Sequence, residues 1–151
     1  MTANVYDKII MISIRKRLDD VLDGRKLWEY RRKSPIINGK TLVIVYDPNT
    51  HAIVGEFCVS NVLKGPIDQI ISRTITQTTS PENVLREYFK GVNICSALRI
   101  KEPKRYKNPI SLQQIRTLIV GFVPPQGYIF LRDENKKLAP LLDMLLKIRQ
   151  E

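Results

Sequence analysis

Two neighbouring runs of β-branched and aromatic residues constrain the fold of this chain more than any other feature. Residues 41–46 (TLVIVY) and 52–59 (AIVGEFCV) each have the length and composition of a buried strand. The intervening residues, DPNTH, are of types that favour turns. The pattern predicts a β-hairpin with Ile44, Val54 and Phe57 in the core of a mainly β, barrel-like α+β domain.

A second constraint comes from the segment 24–33 (GRKLWEYRRK), where the hydrophobic period changes. The preceding residues, 13–23, predict a short amphipathic helix with Ser13 as its N-cap and Gly24 as a left-handed stop. Beyond Gly24 the spacing is that of a strand whose side chains alternate between two faces. One face carries Leu27, Glu29 and Arg31, and the other carries Trp28, Tyr30 and Arg32.

This alternation places a carboxylate and a guanidinium on one face, and Lys26 joins them from the turn. Exposed ion pairs contribute little to stability, so stability alone does not explain a carboxylate placed between two cations. In a cleft, Lys26, Glu29 and Arg31 would bind a polar, partly anionic ligand such as a nucleotide. The alternative is a solvated strand whose charges only keep the protein in solution.

The string Gly24-x-Lys26-x-x-Glu29-x-Arg31, preceded by residues 12–14 and a helix, resembles the signature of the ASCH domain, a branch of the PUA-like superfamily. Residues 106–112 and 124–131 are similar to later parts of that family. The resemblance covers about residues 9–131. It implies a small PUA-like β-barrel with flanking helices and a cleft suited to RNA or a nucleoside, with hydrolytic activity in a few members.

The remaining elements follow from local patterns, with residues 1–151 expected to form a single domain. Helices are predicted from Ser80-Pro81-Glu82, from Ser111 as a cap, and over about 134–150, where leucines form one apolar face. Further strands are expected at 8–14, 93–100, 117–122 and 128–131.

The formal net charge of +10 is concentrated in two segments, 15–33 and 99–107. Such clustering favours a polyanionic partner, whereas an even spread would indicate solubility alone. The second segment includes a predicted basic loop, 101–108, that contains Arg105 and Tyr106. These two residues could clamp and stack a base, or Tyr106 could pack inward while the lysines stay in water.

Several functional classes are disfavoured by what the sequence contains. We expect no membrane span and no signal peptide, because no apolar run is long enough. Cys58 and Cys95 are isolated and are expected to be buried free thiols in the cytoplasm. The single histidine, His51, lies in or beside the hairpin turn, which disfavours multi-histidine metal sites and Ser–His–Asp triads. We expect neither a metal nor an organic cofactor.

The leading interpretation is a module that binds RNA or a modified nucleoside, with a regulatory role as one possibility. Lys26, Arg31 and Arg32 would contact phosphate or carbonyl oxygens, and Glu29 would accept hydrogen bonds from a base amino group.

Two enzymatic alternatives use the same residues as catalytic groups. The resemblance implies an amidohydrolase acting on acetylated cytidine, with Lys26 matching the family's lysine. However, Glu29 stands where those enzymes carry threonine, and only Glu82 is placed like their further glutamate. The second alternative is an RNA-cleaving enzyme with Lys26 as base and Glu29 as acid.

Overall fold

The predicted hairpin forms the centre of the structure, a computed structural model that describes residues 6–131 and 136–150. Strands β3 (Thr41–Asp47) and β4 (Ala52–Val59) pair antiparallel, with a bulge between Val45 and Tyr46. Their sheet has the strand order β7-β4-β3-β1-β8, and its other strands are β1 (Lys8–Ser13), β7 (Lys101–Ser111) and β8 (Tyr128–Phe130). The prediction of the hairpin is therefore confirmed.

A smaller sheet has the order β2-β6-β5 and carries the segment that follows Gly24. Its strands are β2 (Trp28–Arg31), β6 (Cys95–Arg99) and β5 (Val62–Gly65). The helices of the described residues are α1 (Leu18–Leu22), α2 (Ile67–Thr74), α3 (Glu82–Tyr88), α4 (Leu112–Leu118) and α5 (Ala139–Ile148). All strand pairs of the described residues except β1 with β3 are antiparallel, and helices packed on mainly antiparallel sheets confirm the α+β class.

The core lies on both faces of the larger sheet, because alternate side chains of β3 point in opposite directions. Ile44 packs on one face in a cluster that includes Ile115 of α4 and Leu141 of α5. Val54 and Phe57 belong to the cluster on the other face. All three residues predicted for the core are thus buried. A third cluster packs Trp28 and Tyr30 of β2 against α2 and α3.

The strand pairings of the described residues give two separate sheets, so closure into a barrel stays a prediction. In the same part of the chain, none of the helices has the length and apolar content that a bilayer crossing requires.

Cys58 and Cys95 are both buried and unpaired, as expected, and burial raises the pKa of each thiol. Residues 1–5, 132–135 and 151, including the predicted helix start at 134, lie outside the described residues.

Three local predictions are wrong. Ser13 does not cap α1: it ends β1, and α1 begins after Arg17, which has a left-handed φ of 58°. The expected basic loop 101–108 is part of the edge strand β7, which pairs with β4. The expected strand 117–122 is instead the end of α4 and a turn that leaves Val120 exposed. In contrast, Ser111 caps α4 as predicted, in a capping box with Gln114.

The C-terminal helix α5 is fixed to the larger sheet by a buried ion pair just beyond its end. Arg149 donates from Nε to Oε1 of Glu56 (2.5 Å) and from Nη2 to Oε2 (3.0 Å). The Tyr106 hydroxyl donates to the same carboxylate at 2.8 Å. Because Glu56 is 4% exposed, these donors replace the water that the carboxylate loses on folding.

Candidate functional site

The turn between α1 and β2 brings Lys26 beside the charged face of β2. Gly24 adopts a φ of 81°, which a glycine tolerates without strain, and the amides of Arg25 and Lys26 both donate to the Asp20 carbonyl at 2.9 Å. In β2, Trp28 and Tyr30 enter the core while Glu29 and Arg31 share the opposite face, as the alternation predicted.

Glu29 lies between two cations in a poorly hydrated position. Its Oε1 is 3.7 Å from Lys26 Nζ, and its Oε2 is 3.0 Å from Arg31 Nη2. The side chains of Lys26, Glu29 and Arg31 are 7%, 8% and 13% exposed. We call these three residues the charged floor. The sequence predicted that they are neighbours, and the structure adds that they are largely buried.

The charged floor keeps unused hydrogen-bonding capacity. Lys26 Nζ is farther from Glu29 than a charge-assisted hydrogen bond requires, so its N–H groups remain able to donate elsewhere. Arg31 Nη2 also donates to the Ser13 carbonyl at 2.9 Å. Arg31 Nε, in contrast, is buried and has no partner among the described residues. A ligand that accepts hydrogen bonds would satisfy these donors.

The charged floor lies in a cleft of about 770 Å³. One wall is the segment that follows β1, with exposed Arg15, Lys16 and Arg17, and we call these three residues the basic rim. The opposite wall is formed by α3 and the residues before it; its polar and aromatic side chains are Ser80, Asn83, Glu87 and Tyr88. Volumes of this size accommodate small organic ligands, including a nucleotide.

Two tyrosines connect the charged floor to α2 and α3. The Tyr30 hydroxyl donates to Thr74 Oγ1 at 2.7 Å, and its ring centroid is 5.5 Å from Lys26 Nζ. The Tyr88 hydroxyl donates to the Tyr30 carbonyl at 3.2 Å. Burial raises the pKa of both tyrosines, so both hydroxyls remain protonated at neutral pH. These contacts attach α3, one wall of the cleft, to the strand that carries the charged floor.

The other predicted site residues do not line this cleft. Arg32 donates to the carbonyls of Tyr88 (2.7 Å) and Lys90 (3.1 Å), so it stabilises the end of α3. Arg105 pairs with Asp19 (3.0 Å) and Asp23 (3.2 Å), which joins α1 to β7. Tyr106 is 3% exposed and contacts Glu56, so its ring is not available to stack on a base. The second of the two interpretations of Tyr106 therefore matches the structure.

Two further residues considered at the sequence level also lie away from the charged floor. Glu82 forms an exposed ion pair with Arg86 at 2.9 Å and is not a lining residue of the cleft. His51 is an exposed turn residue with a left-handed φ of 55°. The described residues contain no group of three or more His, Cys, Asp or Glu side chains able to hold a metal ion.

Comparison with known proteins places this geometry in context. No protein-family model matches the chain. A curated protein of Zymomonas mobilis, named ASCH domain-containing ribonuclease, is 25% identical over 123 residues, which cover 80% of this chain and 82% of that protein. The crystal structure of ASCH from Zymomonas mobilis superimposes with a TM-score of 0.80 at 23% identity, covering 92% of this chain and 95% of that one. The predicted resemblance to the ASCH domain family is confirmed.

A more distant neighbour shares the fold alone. The N-terminal domain of Staphylothermus marinus McrB has a TM-score of 0.55 at 14% identity, and the match covers 90% of this chain and 94% of that domain. These comparisons show the arrangement of sheets and helices, whereas the side chains that line the cleft must be argued from this chain.

The sequence did not predict that α3 forms one wall of the cleft. Tyr88 of α3 is 39% exposed and lines the cleft. The available signal was the helical spacing: Asn83 and Glu87 are four residues apart, as are Val84 and Tyr88, and both pairs face the cleft. Nothing in the sequence indicated which other element that helical face would meet.

Proposed function

We propose that this protein binds single-stranded RNA, or a nucleoside unit of it, with one base held on the charged floor. The observation that carries the proposal is a buried carboxylate, Glu29, set between Lys26 and Arg31 in a cleft bordered by the basic rim. Burying three charged side chains costs free energy, and a ligand that uses their free donors offsets part of that cost.

The basic rim supplies the contacts that RNA needs irrespective of its sequence. Arg15, Lys16 and Arg17 are exposed and consecutive, so phosphates passing the cleft would meet cations that release bound counterions. The relative from Zymomonas mobilis is named a ribonuclease, which supports RNA as the ligand class.

The charged floor supplies a means of choosing among bases. A carboxylate only accepts hydrogen bonds, whereas an ammonium and a guanidinium only donate them. Glu29 would therefore accept from an exocyclic amino group, and Lys26 or Arg31 would donate to a ring nitrogen or carbonyl oxygen. Cytosine, adenine and guanine carry such an amino group, and uracil does not.

Fluorescence anisotropy with a labelled single-stranded RNA tests the proposal. Lys26→Gln should weaken binding about tenfold, the loss expected for one charged donor. Lys101→Gln is the matched control because it removes the same charge from the exposed surface of β7, outside the cleft. Equal effects of the two substitutions would show that only net charge matters, and the cleft assignment would then fail.

RNA cleavage is a second candidate function, favoured by the name of the relative and by the contact between Lys26 and Glu29. In an ion pair the carboxylate is the base and the ammonium is the acid, which reverses the roles predicted from the sequence. Glu29 would take the proton of a 2′-hydroxyl as its oxygen attacks phosphorus. Lys26 would give a proton to the departing 5′-oxygen, leaving a 2′,3′-cyclic phosphate.

Analysis of RNA ends after incubation decides between binding and cleavage. Cleavage predicts cyclic phosphate termini that disappear with Glu29→Gln and with a 2′-deoxy substitution at the scissile nucleotide. RNA that is bound and recovered intact would leave binding as the function. The structure disfavours the amidohydrolase alternative, because Glu82, placed in the sequence like the further glutamate of those enzymes, pairs with Arg86 outside the cleft. We propose the cytoplasm as the compartment, in keeping with two free thiols.

A further inference from the structure

A second cleft begins at Ser13 and Arg15, next to the cleft that holds the charged floor. Its volume is about 480 Å³. It is bordered by the end of β3, the hairpin turn and the Pro-Pro-Gln segment; the side chains used below are Ser13, Arg15, Tyr46, His51 and Gln126. Ser13 and Arg15 also line the first cleft, so the two clefts adjoin along this short segment.

Ser13 forms one hydrogen bond toward each cleft, one through its backbone carbonyl and one through its side-chain hydroxyl. Its carbonyl accepts from Arg31 of the charged floor at 2.9 Å. Its hydroxyl donates to the Pro125 carbonyl at 2.7 Å, on the border of the second cleft. A chain-like ligand that left the charged floor past Ser13 would therefore enter the second cleft directly.

The second cleft contains a polar group that the fold itself does not satisfy. Tyr46 is 2% exposed, and its hydroxyl has no hydrogen-bond partner among the described residues. The β-bulge between Val45 and Tyr46 interrupts the pairing of β3 with β4 at this position. A buried hydroxyl without a partner costs free energy, so this one calls for an explanation.

The surroundings of the Tyr46 hydroxyl suit an anionic acceptor. Burial raises the pKa of Tyr46, nearby Arg116 opposes that change and the Asp47 carboxylate adds to it, so the group is a protonated donor at neutral pH. Exposed Arg15, His51 and Gln126 border the same cleft and provide further donors.

We propose that the second cleft binds the phosphate that links the base on the charged floor to the adjoining nucleotide, with the Tyr46 hydroxyl and Arg15 as donors. This inference rests on the proposed function and adds a specific claim to it: the protein recognises at least two connected nucleotides. The fold tolerates the unsatisfied hydroxyl of Tyr46 because the ligand completes its hydrogen bonding.

Isothermal titration with cytidine, which has no phosphate, and with the dinucleotide CpC tests the inference. Wild type should bind the dinucleotide more tightly, and Tyr46→Phe should remove about tenfold of that gain, as expected for one hydrogen bond to a charged oxygen. Affinity for cytidine should not change. The unfolding midpoint of Tyr46→Phe should be unchanged or higher, because the lost hydroxyl has no partner.

Tyr106→Phe is the matched control, since its hydroxyl is bound to Glu56 and lies in neither cleft. It should lower the unfolding midpoint and leave the gain from the second nucleotide intact. If the second nucleotide increased affinity equally in wild type and Tyr46→Phe, the inference alone would be overturned. The same holds if inorganic phosphate binds in a Tyr46-dependent way while the second nucleotide does not increase affinity. Failure of wild type to bind either cytidine or CpC would overturn the proposed function and this inference together.

Discussion

Glu29 and Glu56 are both buried carboxylates paired with arginine, yet their surroundings differ in how completely each is satisfied. Glu56 accepts from Arg149 through two nitrogens, at 2.5 and 3.0 Å, and from Tyr106 at 2.8 Å. Glu29 Oε2 lies 3.0 Å from Arg31 Nη2, and its second cation, Lys26, lies 3.7 Å from Oε1. The first cluster fixes α5 to the sheet, and the second forms the floor of an open cleft.

The comparison teaches that the number of donors around a buried charge separates a structural role from a binding role. A saturated carboxylate has no capacity left for a ligand, and its partners cannot move without exposing an unpaired charge. An incompletely satisfied cluster costs stability in the empty protein and gains hydrogen bonds when a ligand arrives. Arg31 Nε and Lys26 Nζ are the donors that place the charged floor in the second class.

The largest expected effect is on stability and comes from breaking the saturated cluster. Glu56→Gln leaves Arg149 without its buried counter-charge, so we expect a loss of about 3 kcal/mol in the free energy of unfolding. Urea denaturation measures this loss. RNA affinity at a temperature where the variant is folded should stay within about twofold of wild type, since less than 0.5 kcal/mol separates them. If Glu56→Gln were as stable as wild type, the structural role assigned to the Glu56 cluster would be wrong.

The next effect is on ligand selectivity and comes from the unsaturated cluster. Glu29→Gln keeps the size of the side chain but adds donors where the carboxylate only accepted. We expect it to lose about 1 to 3 kcal/mol of preference for cytidine over uridine, the scale of one polar contact to a base. Competition titrations with both nucleosides measure the preference, and wild type without any preference would contradict the assigned role of Glu29.

The pH dependence of stability tests the structural role of the cluster around Glu56. Burial first, and then the charge of Glu56, raise the pKa of Tyr106 above its ordinary value. The folded state therefore holds the Tyr106 proton more tightly than the unfolded state. Stability from this source is complete below about pH 10, where unfolded tyrosine begins to ionise, and declines as pH rises further, by up to about 1.4 kcal/mol per pH unit.

Comparison of wild type with Tyr106→Phe isolates that contribution from the other tyrosines. The difference in unfolding free energy between the two proteins should shrink as pH rises from about 9 to 11. Urea denaturation at each pH provides the measurement. A difference that does not change with pH would mean that Tyr106 is not the buried, protonated donor described above.

The sequence was informative wherever local chemistry decides the structure. The β-branched and aromatic runs 41–46 and 52–59, with turn residues between them, located the hairpin, and the alternation after Gly24 put Glu29 and Arg31 on one face. The Ser111 cap followed from its side chain, which accepts from the Gln114 amide. These features depend on neighbours a few residues away, so they are visible in the sequence itself.

The errors arose where distant contacts override local preference. Residues 101–108 look like a basic loop, yet they pair with β4 as an edge strand whose charged side chains stay in water. Gly55 permits this pairing, since a Cβ at that position would lie 2.5 Å from the Lys104 carbonyl oxygen. Arg105 and Tyr106 were assigned to the site for the same reason, and their partners Asp19 and Glu56 are far away in sequence.

The smallest expected effect concerns the basic rim. Lys16→Gln should reduce the slope of log affinity against log salt concentration by about one, because one phosphate contact releases about one counterion. The control Lys101→Gln, on β7, should leave the slope unchanged. Anisotropy titrations over a range of salt concentrations measure both slopes. If Lys101→Gln reduced the slope more than Lys16→Gln, the RNA would bind along β7 and not along the basic rim.

The central claim is that RNA binds over the charged floor and not along the basic edge strand. Titration of ¹⁵N-labelled protein with a short single-stranded RNA, followed by NMR, tests it most directly. We predict that amide shifts concentrate in the segments 13–17, 26–31 and 80–88, which contain the residues that line the cleft. Shifts confined to residues 101–111 of β7, with those three segments unaffected, would contradict the account.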